Sequence, residues 1–277
     1  MSLSIPSSIQ DFLRQPYALT REQIDFYDRN RYIKLKAVLN RETLQYFAEV
    51  IDEVVQQLNK EDRPLDARTT YGKAFLQLFN LWRVDDRIRT LVFSERIGKI
   101  ASDLMQTNGV RLYHDQALFK EPGGGITPWH ADQYYWPLAT DKTTTAWIPL
   151  QATPLEMGPL EFSAGSHFIE EGRDLEISDE SEQRIQQRLR VTDFPHVIEP
   201  FEEGEISFHS GWIFHRAGAN ATNDMRKVMT VIYMDRDMRL KQPANENQEN
   251  DRRTWCPGAA VGEIIDTEIN PVLYSRN

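Results

Sequence analysis

Residues 205–234 read EISFHSGWIFHRAGANATNDMRKVMTVIYM. Three short runs, 205–209, 213–216 and 227–234, are dense in Ile, Phe, Val, Met and Tyr, and they are parted by Gly211, Gly218 and Asn220. Apolar and aromatic runs of this length, broken by residues that tolerate tight backbone turns, predict short β-strands joined by turns. The same texture starts at residue 110 and recurs at 110–119, 144–150, 159–163 and 196–200. Short strands at regular spacing predict a sandwich or barrel, and a jelly roll is the double-sheet form of that solution.

The first hundred residues carry a different period. Thr20 and Gln23 make a capping-box pattern ahead of Ile24 and Phe26. Asn40 precedes a segment in which Leu44, Phe47, Ile51, Val54, Val55 and Leu58 recur at three and four, the period of an amphipathic helix. Ser94 introduces a third helix with Ile97, Ile100, Ala101 and Leu104 on one side, and residues 32–35 alternate like a short strand. We therefore expect one domain over residues 1–277, mainly β with flanking helices. Residues 1–109 form helical support, 110–240 the jelly-roll core and 241–277 a C-terminal extension. Residues 170–190 read as an acidic insert that turns helical, and 242–253 as a polar segment without periodicity. Either insert could be a lid, and for the second a solvated surface is the favoured expectation.

Apolar residues make up 40% of the chain, with 6 Trp, 10 Tyr and 13 Phe, enough material for a sizeable core. A net charge of -10 without a Lys/Arg run argues against nucleic acid and against an anionic membrane surface as partners. With one cysteine, Cys256, neither an internal disulfide nor a thiolate zinc site can form. Any bound metal must then take nitrogen and oxygen ligands. No secretory pattern or long uncharged apolar stretch is visible, so a cytoplasmic location and a small-molecule substrate are expected. Nothing in the sequence fixes an oligomeric state.

The chemistry concentrates in two places. In Trp129-His130-Ala131-Asp132 the imidazole and carboxylate are two residues apart, so they project to the same side of an extended strand end. Such a pair alone is weak, because short motifs arise by accident. The second place is His215, followed by a turn and then by Arg226 eleven residues on. Two histidines and one carboxylate on one face of a metal leave neighbouring positions open, the arrangement of non-haem iron(II) oxygenases. His209 is the rival distal ligand, but its eleventh neighbour is Asn220, which cannot neutralise a carboxylate. His209 and His167 are expected beside the site or in turns, and His196 at the surface. Tyr134, Tyr135 and Trp136 follow the ligands directly and predict a pocket wall for an apolar or ring-containing substrate, with Trp212 and Gln116 as further contacts. His114 shares a strand face with Gln116, and core and pocket are both open to it.

These residues resemble the phytanoyl-CoA dioxygenase family of iron(II)/2-oxoglutarate enzymes, whose pattern is H-x-D, a distal H, and R eleven positions beyond. The resemblance takes in residues 118–123 (LFKEPG), 127–130 (TPWH), 145–150 (TAWIPL), 157–162 (MGPLEF) and Gly165-Ser166-His167, in family order. It implies a cupin-like double-stranded β-helix. It also implies Fe(II) held by His130, Asp132 and His215, 2-oxoglutarate held by Arg226 beside Trp147 and Thr127, and O2 as the second co-substrate. The implied reaction hydroxylates an unactivated C–H bond and releases succinate and CO2. Asp132 fills the position that related halogenases leave for chloride, which favours hydroxylation. Ala217 stands where some members carry a serine that helps bind the co-substrate. Desaturation, epoxidation or ring formation at the same site, a zinc hydrolase, and a non-catalytic metal-binding jelly roll are the competing expectations.

Overall fold

A computed structural model of the chain describes residues 4–276. The N-terminal part holds helices α1 (Ser7–Arg14), α2 (Arg21–Asn30), α3 (Arg41–Leu58), α4 (Thr70–Ala74), α5 (Asp86–Val92) and α6 (Glu95–Met105), with strands β1 (Tyr32–Leu35) and β2 (Leu76–Phe79) between them. Then follow β3 (Gly109–Lys120), β4 (Thr127–His130), β5 (Thr143–Pro149), β6 (Leu160–Ser163), helix α7 (Asp179–Arg190), β7 (His196–Ile198), β8 (Ile206–Ser210), β9 (His215–Ala217) and β10 (Arg226–Asp235). Helix α8 (Glu246–Trp255) and β11 (Val272–Ser275) complete the described chain.

The strands form two sheets, as expected. The larger runs β1-β8-β5-β10-β3-β11, with β2 also on β3, and the smaller runs β4-β9-β6-β7. All pairings are antiparallel. Because side chains alternate along a strand, each inward face of such a sandwich can carry a different set of residues from the outward face. Tyr32, Trp147, Leu160, Phe162, Ile213 and Val228 fill one end of the space between the sheets.

The outer face of the large sheet is covered by the helices the sequence predicts. Thr20 caps α2 in a full capping box, with Gln23 N donating to Thr20 Oγ1 at 3.2 Å and Thr20 N to Gln23 Oε1 at 2.9 Å. Asn40 accepts from Thr43 N at 2.8 Å, and the apolar stripe of α3 (Leu44, Phe47, Ile51, Val54 and Val55) is buried. Each such side chain contributes about 1.5–3 kcal/mol by leaving water. α6 lies on β3 and β11, so the helical part braces the long strand from which the site is later built.

Several boundaries differ from the expected ones. β2 lies within the stretch read as helical, because Leu76–Phe79 pairs with residues 116–119 of β3 rather than following a local helical period. β11 is also additional. Residues 242–253, expected as a polar segment without periodicity, contain most of α8, which is capped by Asn245 accepting from Gln248 N at 2.8 Å and buries only Gln248. The reason is that one face of α8 meets a cavity through polar side chains, so no apolar period announces the helix.

Candidate metal and co-substrate site

β4 and β9 pair in the small sheet with His130 opposite His215 in register. Their rings stand 4.2 Å apart between centroids. Asp132 follows His130 in a short 3-10 turn (Asp132–Tyr134), and its Oδ1 lies 3.4 Å from His130 Nε2 and 3.6 Å from His215 Nε2. One ligating atom from each of the three falls within 4.8 Å of the others. The sequence expectation that these residues meet is therefore correct.

Backbone carbonyls set the ring orientations. His130 Nδ1 sits 2.7 Å from Pro128 O, and His215 Nδ1 sits 3.1 Å from Ile213 O. A carbonyl can only accept, so each Nδ1 carries the proton and each Nε2 presents its lone pair toward Asp132. Holding the second ring nitrogen in this way fixes the tautomer of a metal-binding histidine. Burial, together with His130 alongside, keeps the His215 imidazole well below its usual pKa and hence neutral. Asp132 sets its carboxyl between the two rings. Two imidazole nitrogens and one carboxylate suit a divalent transition metal.

His209, on β8 of the opposite sheet, completes the surroundings of Asp132. Its Nε2 lies 3.5 Å from Asp132 Oδ2, it is buried, and neither ring nitrogen has a hydrogen-bond partner. It thus sits beside the three residues, as expected for a neighbour rather than a member. Glu182 of α7 ties the two ligand-bearing strands together. Its Oε2 accepts from Trp129 N at 2.8 Å, next to His130, and its Oε1 from Arg216 Nη1 at 2.6 Å, next to His215. Sequence reading missed Glu182, because nothing local distinguishes it from the other acids of a charged helix.

A chamber of about 80 Å³ is lined by the three residues and by Arg226, Thr127 and Trp147. Arg226 is fully buried at the start of β10. Its Nη1 donates to Gly158 O at 2.6 Å, its Nε has no partner, and its guanidinium carbon stands 5.6 Å from the Trp147 ring. Among the described residues no carboxylate pairs with it. Burial alone pushes it down to about 9, which still leaves it charged at neutral pH. Thr127 Oγ1 is likewise buried without a partner. Gly158 places the accepting carbonyl. Its φ of 70° suits glycine, and a Cβ there would lie 2.3 Å from Gly218 O.

A second cavity, of about 380 Å³, shares Asp132 and Gln116 with the chamber. Tyr135 and Trp136 line it, as expected, and His114 belongs to it too, which settles the question left open for that residue. Tyr134 and Trp212 do not, and here the expectation is corrected. In the tight turn after Ala131, Asp132 and Tyr135 share a side while Tyr134 points elsewhere, its hydroxyl accepting from Asn247 Nδ2 at 3.2 Å. Trp212 packs near Trp129 and Phe214 under the Arg173 guanidinium. The cavity also takes Glu176, Ile177 and, from α8, Asn247, Asn250, Asp251 and Trp255. His196 is half-exposed and bonds Glu161 at 2.8 Å, away from this chemistry.

A family model described as phytanoyl-CoA dioxygenase matches residues 27–228. The chain belongs to the phytanoyl-CoA dioxygenase family. It is thereby an oxidoreductase of the non-haem iron, 2-oxoglutarate-dependent class, with a jelly-roll core. The 1-deoxypentalenic acid 11-beta-hydroxylase of Streptomyces exfoliatus is 25% identical over 257 residues, covering 87% of each chain. Among solved structures, the non-haem alpha ketoglutarate-dependent carbocyclase SnoK from nogalamycin biosynthesis superposes with a TM-score of 0.75 at 25% identity, over 93% of this chain and 99% of its own. The epimerase SnoN, solved with Fe3+, alpha ketoglutarate and nogalamycin RO, superposes at 0.73 with 22% identity, over 91% and 98%. That last likeness speaks for the fold alone. No described helix is long and apolar enough to cross a membrane.

Proposed function

We propose that this dioxygenase hydroxylates a C–H bond of a ring-bearing small molecule, with His130, Asp132 and His215 as the iron ligands and Arg226 as the anchor of 2-oxoglutarate. In the overall balance, one oxygen atom of O2 enters the substrate and the other enters succinate, with loss of CO2. Bound iron(II) would supply the oxygen activation that no side chain can provide. The chain's own residues bind, orient and shield.

The observation that carries this reading is Arg226. A buried guanidinium with a free Nε and no carboxylate partner is costly unless an anion arrives. It lines the same chamber as the three ligands, which suits a dicarboxylate with one end at the metal and the other on Arg226. A guanidinium grips such a carboxylate through parallel N–H bonds, and a buried geometry strengthens them. Trp147 packs against the guanidinium face and Thr127 Oγ1 is free to donate. Ala217 lacks a hydroxyl, and its cross-strand partner Thr127 carries an unpartnered one in this lining.

The larger cavity is the substrate side. Tyr135, Trp136 and Gln116 line it and Asp132 stands at its junction with the chamber, so a bound ring can bring a C–H bond to the metal side while its body excludes water. Relatives named as hydroxylase, carbocyclase and epimerase show how far outcomes diverge on one scaffold. Asp132 speaks against halogenation, and the likeness to a hydroxylase over 87% of each chain supports hydroxylation. Cys256 is free and buried, which accords with a reducing, cytoplasmic setting.

The test is anaerobic addition of Fe(II) and 2-oxoglutarate to the purified protein, followed by visible absorption. A charge-transfer band from the chelate is expected for the wild type, should vanish in Asp132→Ala, and should demand far more 2-oxoglutarate in Arg226→Met. A wild-type protein that binds Fe(II) and gives no band would overturn the reading. Product analysis under O2 then separates hydroxylation from desaturation or ring closure.

A further inference from the structure

The substrate cavity is charged in one sense only. Asp251 and Glu176 contribute carboxylates to its lining, and among the described residues that lining contains no Lys or Arg. Neither carboxylate has a cationic partner among the described ion pairs. Asp251 Oδ2 accepts from Tyr113 OH at 3.0 Å, and Glu176 Oε2 from Asn247 Nδ2 at 3.3 Å. These are neutral donors, and each leaves lone pairs over. Asp132 adds a third carboxylate at the junction with the chamber, and Gln77, Gln116, Asn247 and Asn250 add neutral carboxamides.

A second observation points independently to a ligand. His114 is 5% exposed, lines this cavity, and has an Nδ1 without any hydrogen-bond partner. Its ring lies tilted 4.5 Å from Trp255 and edge-on 5.5 Å from Phe79, between centroids. Burial pushes the imidazole down to about 4, so it is neutral at physiological pH and adds no positive charge. Trp255, Phe79 and Tyr135 line the cavity with it, and aromatic rings attract a cation as well as a flat apolar body. Carboxylates and aromatic rings therefore select the same sign of charge.

We propose that the substrate of this enzyme is a ring-bearing molecule with a basic nitrogen, its ring held against Trp255 and Phe79 and its ammonium facing Asp251 and Glu176, and that anionic substrates such as acyl-CoA thioesters are rejected. This deepens the dioxygenase reading above and rests on it. An anionic group brought toward Asp251 and Glu176 would meet no Lys or Arg of the lining, so its desolvation there would go uncompensated. Burial already pushes Asp251 up to about 7, the behaviour of a carboxyl that lacks a counter-ion, and an arriving ammonium supplies one.

The experiment uses three probes with one ring system and three charges: naphthylmethylamine, naphthalenemethanol and naphthoate. Fe(II) and 2-oxoglutarate are added first, without O2, and the chelate band is recorded. Its absence removes the dioxygenase reading and this proposal with it. With the band in place, each probe is titrated against tryptophan fluorescence and against the band itself. The amine should bind about tenfold or more tighter than the alcohol, the size of one charge-assisted contact, and naphthoate should bind weakest. In Asp251→Asn combined with Glu176→Gln the amine should fall to the level of the alcohol, while alcohol affinity and the 2-oxoglutarate band stay unchanged. Naphthoate binding as tightly as the amine, equal affinities for all three, or an amine preference that survives the double variant would each overturn the proposal while leaving the dioxygenase reading intact.

Discussion

Arg226 and Lys120 are direct cross-strand partners in β10 and β3, both buried, and among the described residues neither is paired with a carboxylate. Lys120 Nζ donates to Gly125 O at 2.6 Å and to Gly218 O at 2.7 Å. Burial and the adjacent Arg226 push its ammonium down to about 6. At that value Lys120 is mostly uncharged at neutral pH, which leaves Arg226 as the charged member of the pair and the one that gains when an anion binds. Carbonyls from the Gly158 and Gly218 turns cushion them in the meantime.

The first expectation follows from that pair. Saturating 2-oxoglutarate should raise the melting temperature, since a ligand at a hundredfold excess over its Kd adds about 2.7 kcal/mol to folding. Arg226→Met should abolish this response and weaken 2-oxoglutarate by about 2–5 kcal/mol. Without ligand, the variant should lose little stability, because it also removes an uncompensated buried charge. Calorimetric titration and thermal melts on the same samples check both statements, and an undiminished 2-oxoglutarate affinity would refute the assignment of Arg226.

His209 should act on the metal through Asp132, whose Oδ2 it approaches at 3.5 Å. Replacing it with Asn should lower Co(II) affinity by about 10–100-fold, the usual effect of removing a partner that orients a ligand. His130→Ala should bring binding close to the detection limit. Titration calorimetry with Co(II) distinguishes the two, and equal losses would mean that His209 is itself a ligand.

Glu182→Ala should loosen two strands at once. The substitution leaves Trp129 N and Arg216 Nη1 without their acceptor, at a cost of about 1–3 kcal/mol for each buried donor left unmet. Since those donors flank His130 and His215, metal affinity should fall together with the melting temperature. Arg216 retains Glu161 as a second partner at 3.1 Å, so the protein should still fold. A stability loss with unaltered metal affinity would confine Glu182 to a structural role.

The pH dependence of stability should carry the mark of Asp251. Burial raises its carboxyl from 3.8 to about 7 in the folded protein, so between those values the folded state holds more protons than the unfolded state. Stability then falls as pH rises through this window, and the loss is complete above about 7. Asp251→Asn has no such proton to lose, and its asparagine oxygen can still accept from Tyr113. Its advantage over the wild type in thermal melts should therefore grow between about pH 4 and pH 7 and level off above. Parallel melting curves for the two proteins across that range would rule the effect out.

The sequence was most readable where chemistry or period is written into residue types at short range. His130 and Asp132 share a strand end, Arg226 follows His215 at a fixed interval through one hairpin, and the apolar stripes of α3 and α6 repeat every three to four residues. What stayed hidden depends on distant partners. Leu76–Phe79 becomes a strand only because β3 offers it an edge. Glu182 matters because α7 lies across β4. Tyr134 and Tyr135 look alike in sequence, and only the three-residue turn that starts at Asp132 sends one into the cavity and the other toward α8. Asn247, Asn250, Asp251 and Trp255 lie on one helical face, but three of the four are polar, so a search for apolar periodicity passes over them.

That last helix has an evolutionary consequence. The portion of the chain that matches the family model ends at residue 228, whereas α8 spans Glu246–Trp255. The proposed iron ligands and co-substrate anchor fall within the matched portion, while four α8 residues of the proposed substrate wall follow it. Preference for one molecule over another can drift, or be grafted from a cousin, by rewriting a ten-residue cassette with the oxidative machinery left in place.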